Sequence, residues 1–194
     1  MKIALLTSLT FFTTTVIFAQ SSIGIKGGLN ISKATTIFSA PQERYAFHAG
    51  AVFRKPLTAK LFIQPELQYS SKGLSHDPSY GNRTLRFQYL AVPVLIGFKV
   101  DEKLSILLGP EFGYLIKCIN KDARHSFDFT QQYPQFDAGV DIGLTYKINR
   151  KWGAELRYNY GFNTLYYIDF WGVKYDEIKG GNRLFQAGIN YWLK

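Results

Sequence analysis

The sequence is poor in cysteine and has no long apolar run after its N-terminus. Among 194 residues there is a single cysteine, Cys118, so no intrachain disulfide and no metal site with two cysteine ligands can form. Charged residues and glycines interrupt every later apolar stretch, which excludes a membrane helix of about 20 apolar residues. Aromatic residues are abundant instead, with 13 tyrosines and 16 phenylalanines, and they favour β-strands over helices.

The chain is basic, with a formal net charge of +9. Such a charge can indicate nucleic acid or an anionic membrane surface as a partner. Here the basic residues stand singly along the sequence, at predicted strand ends and in predicted loops. We therefore expect no nucleic-acid partner. The singly placed residues include Lys33, Lys72, Arg83, Lys121 and Lys151.

The first residues have the pattern of a secretory signal peptide. A short basic start at Lys2 is followed by an uncharged apolar and threonine-rich run, and Ala19 offers a small residue for cleavage before Gln20. We expect residues 1–19 to be removed and residues 20–194 to form one domain outside the cytoplasm.

The rest of the chain alternates apolar and polar residues with period two, which predicts strands from end to end. The sixth run is the clearest, because Phe136, Ala138, Val140 and Ile142 alternate with acidic residues and glycines. No linker, second domain or helix is indicated. The predicted strands cover residues 22–32, 44–54, 60–71, 83–100, 103–117, 133–148, 151–163 and 182–193.

The connections between these strands alternate in length. Residues 55–59, 101–102 and 149–150 form tight turns, whereas residues 33–43, 72–82, 118–132 and 164–181 form longer polar stretches. Short periplasmic turns and long external loops are typical of a membrane barrel. The pattern predicts an all-β fold, an eight-stranded antiparallel up-and-down transmembrane β-barrel. Both ends of the mature chain would then be periplasmic.

Period two alone does not decide whether the apolar face points outward. A soluble, lipocalin-like periplasmic ligand binder has the same alternation with its apolar face inside. The polar face is rich in glycine and carries charges of both signs, which suits the tight interior of a small membrane barrel. We expect seven of its charged residues to form an interior network: Lys26, Glu66, Glu111, Asp137, Asp141, Glu155 and Arg157.

Two segments resemble the PorT-like outer-membrane β-barrel family, whose members are small barrels of the OmpX and OmpA type. The segment from Ser22 to Asn30 is similar to the opening strand of that family, and the segment from Tyr89 to Leu95 is similar to its mid-barrel strand. The last strand, with Tyr191 and Leu193, resembles the signal read by the barrel-assembly machinery. The resemblance implies an integral outer-membrane protein and carries no catalytic motif, although some relatives are linked to protein secretion.

No arrangement of residues indicates catalysis, a cofactor or a metal. An alternative function is an outer-membrane lipid-modifying enzyme, which would need a serine and a histidine in hydrogen-bond reach. Ser75, His76 and Asp77 stand side by side, but neighbours in sequence seldom form such a triad, and we interpret them as a turn. His76 and His125 are too weak a pair to predict a metal site. An eight-stranded barrel is nearly filled by side chains, so we also expect no open pore.

The external loops are the remaining functional surface. The longest, residues 164–181, mixes aromatic and charged residues, which suits recognition of a protein or a glycan. We expect a monomer that contacts outer-membrane lipids, uses the barrel-assembly machinery during biogenesis and binds an extracellular or secretion-related protein. The candidate recognition residues are Tyr166, Tyr167, Phe170, Trp171 and Tyr175.

Overall fold

A computed structural model of the chain describes residues 21–33, 42–75, 84–122, 125–162, 167–168, 174–175 and 183–193. The predicted signal peptide lies outside these residues. Within them, no helix is both long and apolar enough to cross a membrane.

The described residues are almost entirely β-strand, with one short 3-10 turn at Thr130–Gln132. The eight strands that the sequence predicted begin and end within a few residues of their predicted positions. The strands are β1 Ser22–Lys33, β2 Arg44–Pro56, β3 Leu61–Ser75, β4 Thr84–Lys99, β5 Leu104–Lys121, β6 Ser126–Asp128, β7 Phe136–Lys147, β8 Trp152–Gly161, β9 Tyr167–Ile168, β10 Lys174–Tyr175 and β11 Arg183–Trp192.

Eight of these strands close into a barrel in which every neighbouring pair is antiparallel. The order runs β4, β3, β2, β1, β11, β8, β7, β5, and β5 pairs again with β4. The first and last strands close the barrel along a continuous register from Gly24 opposite Trp192 to Lys33 opposite Arg183. The predicted eight-stranded antiparallel barrel is confirmed.

The three short turns lie at one end of this barrel. Backbone hydrogen bonds close them, for example from Val100 N to Leu104 O and from Ile148 N to Trp152 O. The described chain ends lie at the same end, because Leu193 N donates to Ile23 O. We call this the turn end and the opposite one the loop end.

The side chains alternate across the barrel wall as the pleat requires. Large apolar residues point outward; Ile142, for instance, is 55% exposed. The charged and amide side chains that point inward, such as Glu66, Arg157 and Asn190, are buried. Glycines on the inner side let neighbouring strands approach each other closely. At Gly50, for example, an added β-carbon would lie only 2.7 Å from Gln68 Cα.

Strands β3 and β5 extend further toward the loop end than predicted, where they pair with β4. Residues 72–82 and 118–132 were expected to be external loops, but β3 continues to Ser75 and β5 to Lys121. The pairs Lys72 with Phe87 and Phe87 with Cys118 extend the ladder there. Lys72 and Cys118 are therefore fully buried strand residues, not loop residues.

Candidate functional site

The middle of the lumen contains a cluster of five buried charged side chains, which we call the central cluster. Arg157 on β8 lies between three carboxylates: its Nη2 is 2.7 Å from Glu66 Oε1 and 2.8 Å from Glu155 Oε1, and its Nη1 is 3.2 Å from Asp141 Oδ2. Lys26 Nζ bridges Glu155 and Glu66 at 2.6 and 2.9 Å. Two cations and three carboxylates thus satisfy one another in a space that water does not reach, as burial of charge demands.

Amide side chains extend the central cluster toward both ends of the lumen. Gln64 Nε2 donates to Glu66 Oε1 at 2.7 Å, and Asn159 Nδ2 donates to Asp141 Oδ1 at 2.6 Å. These bonds use lone pairs that the cations leave open, so the carboxylates stay solvated by protein groups. The cluster is therefore a connected network rather than a set of separate pairs.

A second group of charges lies nearer the loop end. Lys72 Nζ is 2.8 Å from Glu111 Oε1 and 4.0 Å from Asp137 Oδ2. Gln68 Nε2 also donates to Glu111, at 3.2 Å, and the Lys72 ammonium lies 5.3 Å from the centre of the Tyr89 ring. All seven residues that the sequence nominated for an interior network are thus buried in the lumen, in two groups rather than one. Lys72, which the prediction assigned to a loop, is the cation of the second.

A neutral network lies beside these charges. His48 Nδ1 is 2.8 Å from Asn30 Oδ1, which also accepts from Gln186 Nε2 at 3.0 Å. Asn30 Nδ2 in turn donates to Ser70 Oγ at 3.0 Å. These four residues come from four consecutive strands of the barrel, so the bonds tie β11, β1, β2 and β3 together.

Apolar side chains fill the lumen on both sides of the charges. Phe62, Leu95 and Leu107 form a layer toward the turn end. A larger buried group toward the loop end is closed by Tyr133, whose ring meets Phe87 edge-on at 5.0 Å. This larger group contains Leu74, Leu85, Phe87, Tyr89, Leu115, Cys118 and Tyr133. Across the described residues, side chains therefore block the lumen at several levels and no pore is evident.

The described residues hold no group of three or more His, Cys, Asp or Glu side chains suited to a metal ion. His125 lies at the loop end with its ring 66% exposed and Nδ1 3.9 Å from Asp122 Oδ1. His76 and Asp77 of the considered triad lie outside the described residues.

A family model for the outer membrane protein beta-barrel domain matches residues 18–167. The chain belongs to this family. Membership agrees with the outward apolar face and indicates the cell outer membrane as the location of the protein. The soluble lipocalin-like alternative, which requires an inward apolar face, is wrong.

Solved structures of outer-membrane barrels share the fold. Ail, the attachment invasion locus protein of Yersinia pestis, aligns with a TM-score of 0.51 at 15% identity, over 90% of this chain and 99% of Ail. Neisserial surface protein A aligns with a TM-score of 0.59 at 11% identity, over 88% and 97%. OprG from Pseudomonas aeruginosa aligns with a TM-score of 0.55 at 11% identity, over 90% and 96%. A search of curated protein sequences gave no match.

The loop end of this outer membrane barrel carries a small extension of the wall. Strand β6 pairs with the top of β5, with Ser126 opposite Lys121 and Asp128 opposite Ile119. A separate two-stranded ladder, β9 with β10, sets Tyr175 opposite Tyr167. Of the five aromatic residues predicted for recognition, Tyr167 and Tyr175 are thus brought into register. Tyr166, Phe170 and Trp171 lie outside the described residues.

Sequence reasoning missed the aromatic residues of β6 and the segment after it. His125, Phe127 and Phe129 lie in a row, with ring centres 5.8 Å and 6.4 Å apart. Phe127 is 53% exposed, while Phe129 packs against the buried group at the loop end. Their spacing of two residues is typical of a strand and could have predicted one here. The stretch 118–132 was instead expected to be a loop.

Proposed function

We propose that the chain is a monomeric outer-membrane protein without enzyme activity, whose loop end recognises an extracellular or secretion-related protein partner. The turn end and both mature termini would face the periplasm. The lumen would serve to hold the barrel rigid rather than to conduct solutes.

The observation that carries this proposal is the exposed aromatic row on a braced part of the wall. Phe127 is exposed at the loop end, and Phe129 beside it packs against the buried group. A fixed aromatic side chain offers a large contact area at little entropic cost, which is why aromatic residues are enriched at the centres of protein interfaces. Nearby Lys121 and Asp128 would supply the polar rim of such an interface.

The resemblance to PorT-like barrels supports the same role. The segments that carry it, residues 22–30 and 89–95, lie in β1 and in the middle of β4, two strands of the barrel wall. Since some relatives in that group are linked to secretion, a secretion-related partner is the finer form of the proposal. The outward aromatic residues would contact lipid, and the last strand would be read by the barrel-assembly machinery.

Site-specific photocrosslinking on intact cells tests the proposal. A photoreactive residue at Phe127 should give a discrete crosslinked protein. The same residue at the lipid-facing Ile142 and at Glu102 in the turn between β4 and β5 should not give that product. Crosslinking at Phe127 limited to lipid, or the same product from all three positions, would contradict recognition by the loop end.

Two further measurements separate this proposal from its alternatives. Reconstituted into planar bilayers, the protein should show no stable conductance steps, because side chains block the lumen. Lipid A and phospholipid profiles should be unchanged in His76→Ala and His125→Ala variants. A loss of one modified lipid in either variant would favour the lipid-modifying enzyme instead.

A further inference from the structure

The turn end of the barrel opens into a blind vestibule of about 780 Å³. Its rim is formed by the three short turns and by Ser22, and its wall includes Phe62 and Trp192. Phe62 is fully buried with Leu95 and Leu107 behind it, so this apolar layer closes the vestibule from the charged lumen. A volume of this size is within the range of small-molecule and peptide sites.

The lining of the vestibule is strongly basic. Among the described residues that line it, Asp101 and Glu102 are the only acidic ones, and Asp101 Oδ1 already accepts hydrogen bonds from Lys103 N and Leu104 N. The basic residues are far apart in sequence, which is why they look unclustered there, but barrel closure brings them around one opening. They are Arg54, Lys60, Lys99, Lys103, Lys147 and Arg150.

Arg54 differs from the other cations of the lumen. Its guanidinium is sandwiched between the rings of Phe62 and Trp192, 4.2 and 4.5 Å from their centres. It donates from Nε and Nη2 to Gln64 Oε1 at 2.9 and 2.6 Å. Whereas Lys26, Lys72 and Arg157 each have a carboxylate within 3 Å, no described carboxylate forms a salt bridge with Arg54. A stacked guanidinium held this way is oriented to bind a carboxylate through its planar fork.

We infer that the vestibule binds an acidic peptide segment, with one carboxylate on Arg54 and others on the rim lysines. The apolar surfaces of Trp192 and Pro56 would accept its aliphatic groups, and the hydroxyl and amide groups of Ser105, Thr145 and Asn149 its backbone. The vestibule opens within the ring of turns, whereas lipid headgroups lie around the outside of the wall. An acidic peptide from a periplasmic protein therefore fits this opening better than a lipid does.

Peptide binding can be measured on the mature, refolded barrel in nanodiscs of phosphatidylcholine, which carry no net charge. The probe is fluorescein-labelled hexaglutamate, followed by anisotropy, with labelled hexaglutamine as the uncharged probe. We expect saturable binding of hexaglutamate alone. Arg54→Gln should weaken it about tenfold, since it removes a charge-assisted hydrogen bond.

A second variant and a matched control locate the site. The double variant Lys99→Gln with Lys147→Gln should weaken binding several-fold, and the effect should shrink at high salt because Lys147 is exposed and Lys99 is partly exposed. Lys117→Gln removes the same charge from an exposed residue at the loop end of β5 and should leave binding unchanged. A difference in SDS-gel migration between unheated and boiled samples shows that each variant is folded.

Three outcomes would overturn the inference. If Lys117→Gln weakened hexaglutamate binding as much as the vestibule variants do, the binding would be non-specific attraction of the peptide to a basic protein. Full binding in Arg54→Gln would remove the vestibule as the site. No saturable hexaglutamate binding, together with direct binding of inorganic phosphate that Arg54→Gln weakens, would assign the site to phosphate groups. That the vestibule faces the periplasm rests on the proposed topology. The binding measurements do not depend on that topology, so they can succeed even if crosslinking at Phe127 fails.

Discussion

Arg157 and Glu66 form an ion pair that spans the lumen of the barrel. Arg157 lies on β8 and Glu66 on β3, and four steps around the wall separate these strands in either direction. The two side chains nevertheless meet through two hydrogen bonds, Nη2 to Oε1 at 2.7 Å and Nη1 to Oε2 at 3.1 Å. A bidentate contact between opposite strands fixes their relative height, and hence the register of the closed barrel.

The first prediction concerns this pair. Glu66→Gln should lower the free energy of unfolding by about 3–5 kcal/mol, because it leaves Arg157 and Lys26 buried with less negative charge to offset them. Denaturant unfolding of the refolded barrel, followed by tryptophan fluorescence, measures the change. Glu43→Gln makes the same replacement at an exposed site and should change stability by less than about 0.5 kcal/mol.

A double variant distinguishes loss of a charge partner from loss of packing. Arg157→Met combined with Glu66→Gln removes the cation that has lost one of its three carboxylate partners, and should recover part of the stability lost in Glu66→Gln. If the double variant were as unstable as the sum of the two single variants, the two residues would not be coupled. The central role given to their ion pair would then be incorrect.

The second prediction concerns Gly97 and Phe62. A β-carbon added at Gly97 would overlap the ring of Phe62, which fills the lumen beside it. Gly97→Ala should therefore cost about 1–3 kcal/mol in unfolding experiments, as overpacking does. In a Phe62→Leu background the same change should cost less. At Gly27 the nearest atom to an added β-carbon is 3.6 Å away, so Gly27→Ala is the matched control.

The wall of the barrel could be predicted because it depends on local pattern alone. Alternation with period two along residues such as Phe136, Ala138 and Val140 divides the side chains into two faces, the glycines and charges of the polar face indicate that it lies inside, and short turns fix which strands are neighbours. A strand slipped by one residue would place its entire apolar set inside. The prediction of strands and of their facing is therefore robust to errors of a residue or two at the ends.

The contents of the lumen could be predicted only in part. Lys26, Glu66 and Arg157 were found because they are inward and charged, but their partners depend on which strands lie opposite, which the sequence does not state. Phe62 and Lys72 both lie at alternating positions of β3 whose side chains point inward. Phe62 was overlooked because it is apolar, and Lys72 because a loop was expected there. The basic vestibule escaped notice because its residues are distant in sequence and meet only when the barrel closes.

The third prediction tests the lipid-facing side. Ile142 lies midway along β7, opposite Leu108 and Tyr158, and points outward. Ile142→Lys should reduce the free energy of unfolding in lipid vesicles by about 2–4 kcal/mol, because a charge near the bilayer midplane is costly. Phe127→Lys, at the loop end on β6, should have a much smaller effect, since the loop end would lie outside the hydrocarbon core. Equal stability of both variants would count against the position assigned to the bilayer.

The fourth prediction concerns pH and the turn after β4. Hydrogen bonds from Leu104 N and Lys103 N hold the pKa of Asp101 below its ordinary value. Because the folded-state pKa is lower than the unfolded one, the carboxylate contributes stability above the unfolded pKa, and this contribution is lost as pH falls through the folded value. Asp101→Ala should accordingly destabilise the barrel more near neutral pH than in acid below the folded-state pKa of Asp101. In Asp101→Asn, which keeps an acceptor oxygen without a titrating group, the stability difference from wild type should come only from the lost charge and disappear in acid. If Asp101→Ala were equally destabilising at both pH values, the ionised carboxylate would not be what closes this turn.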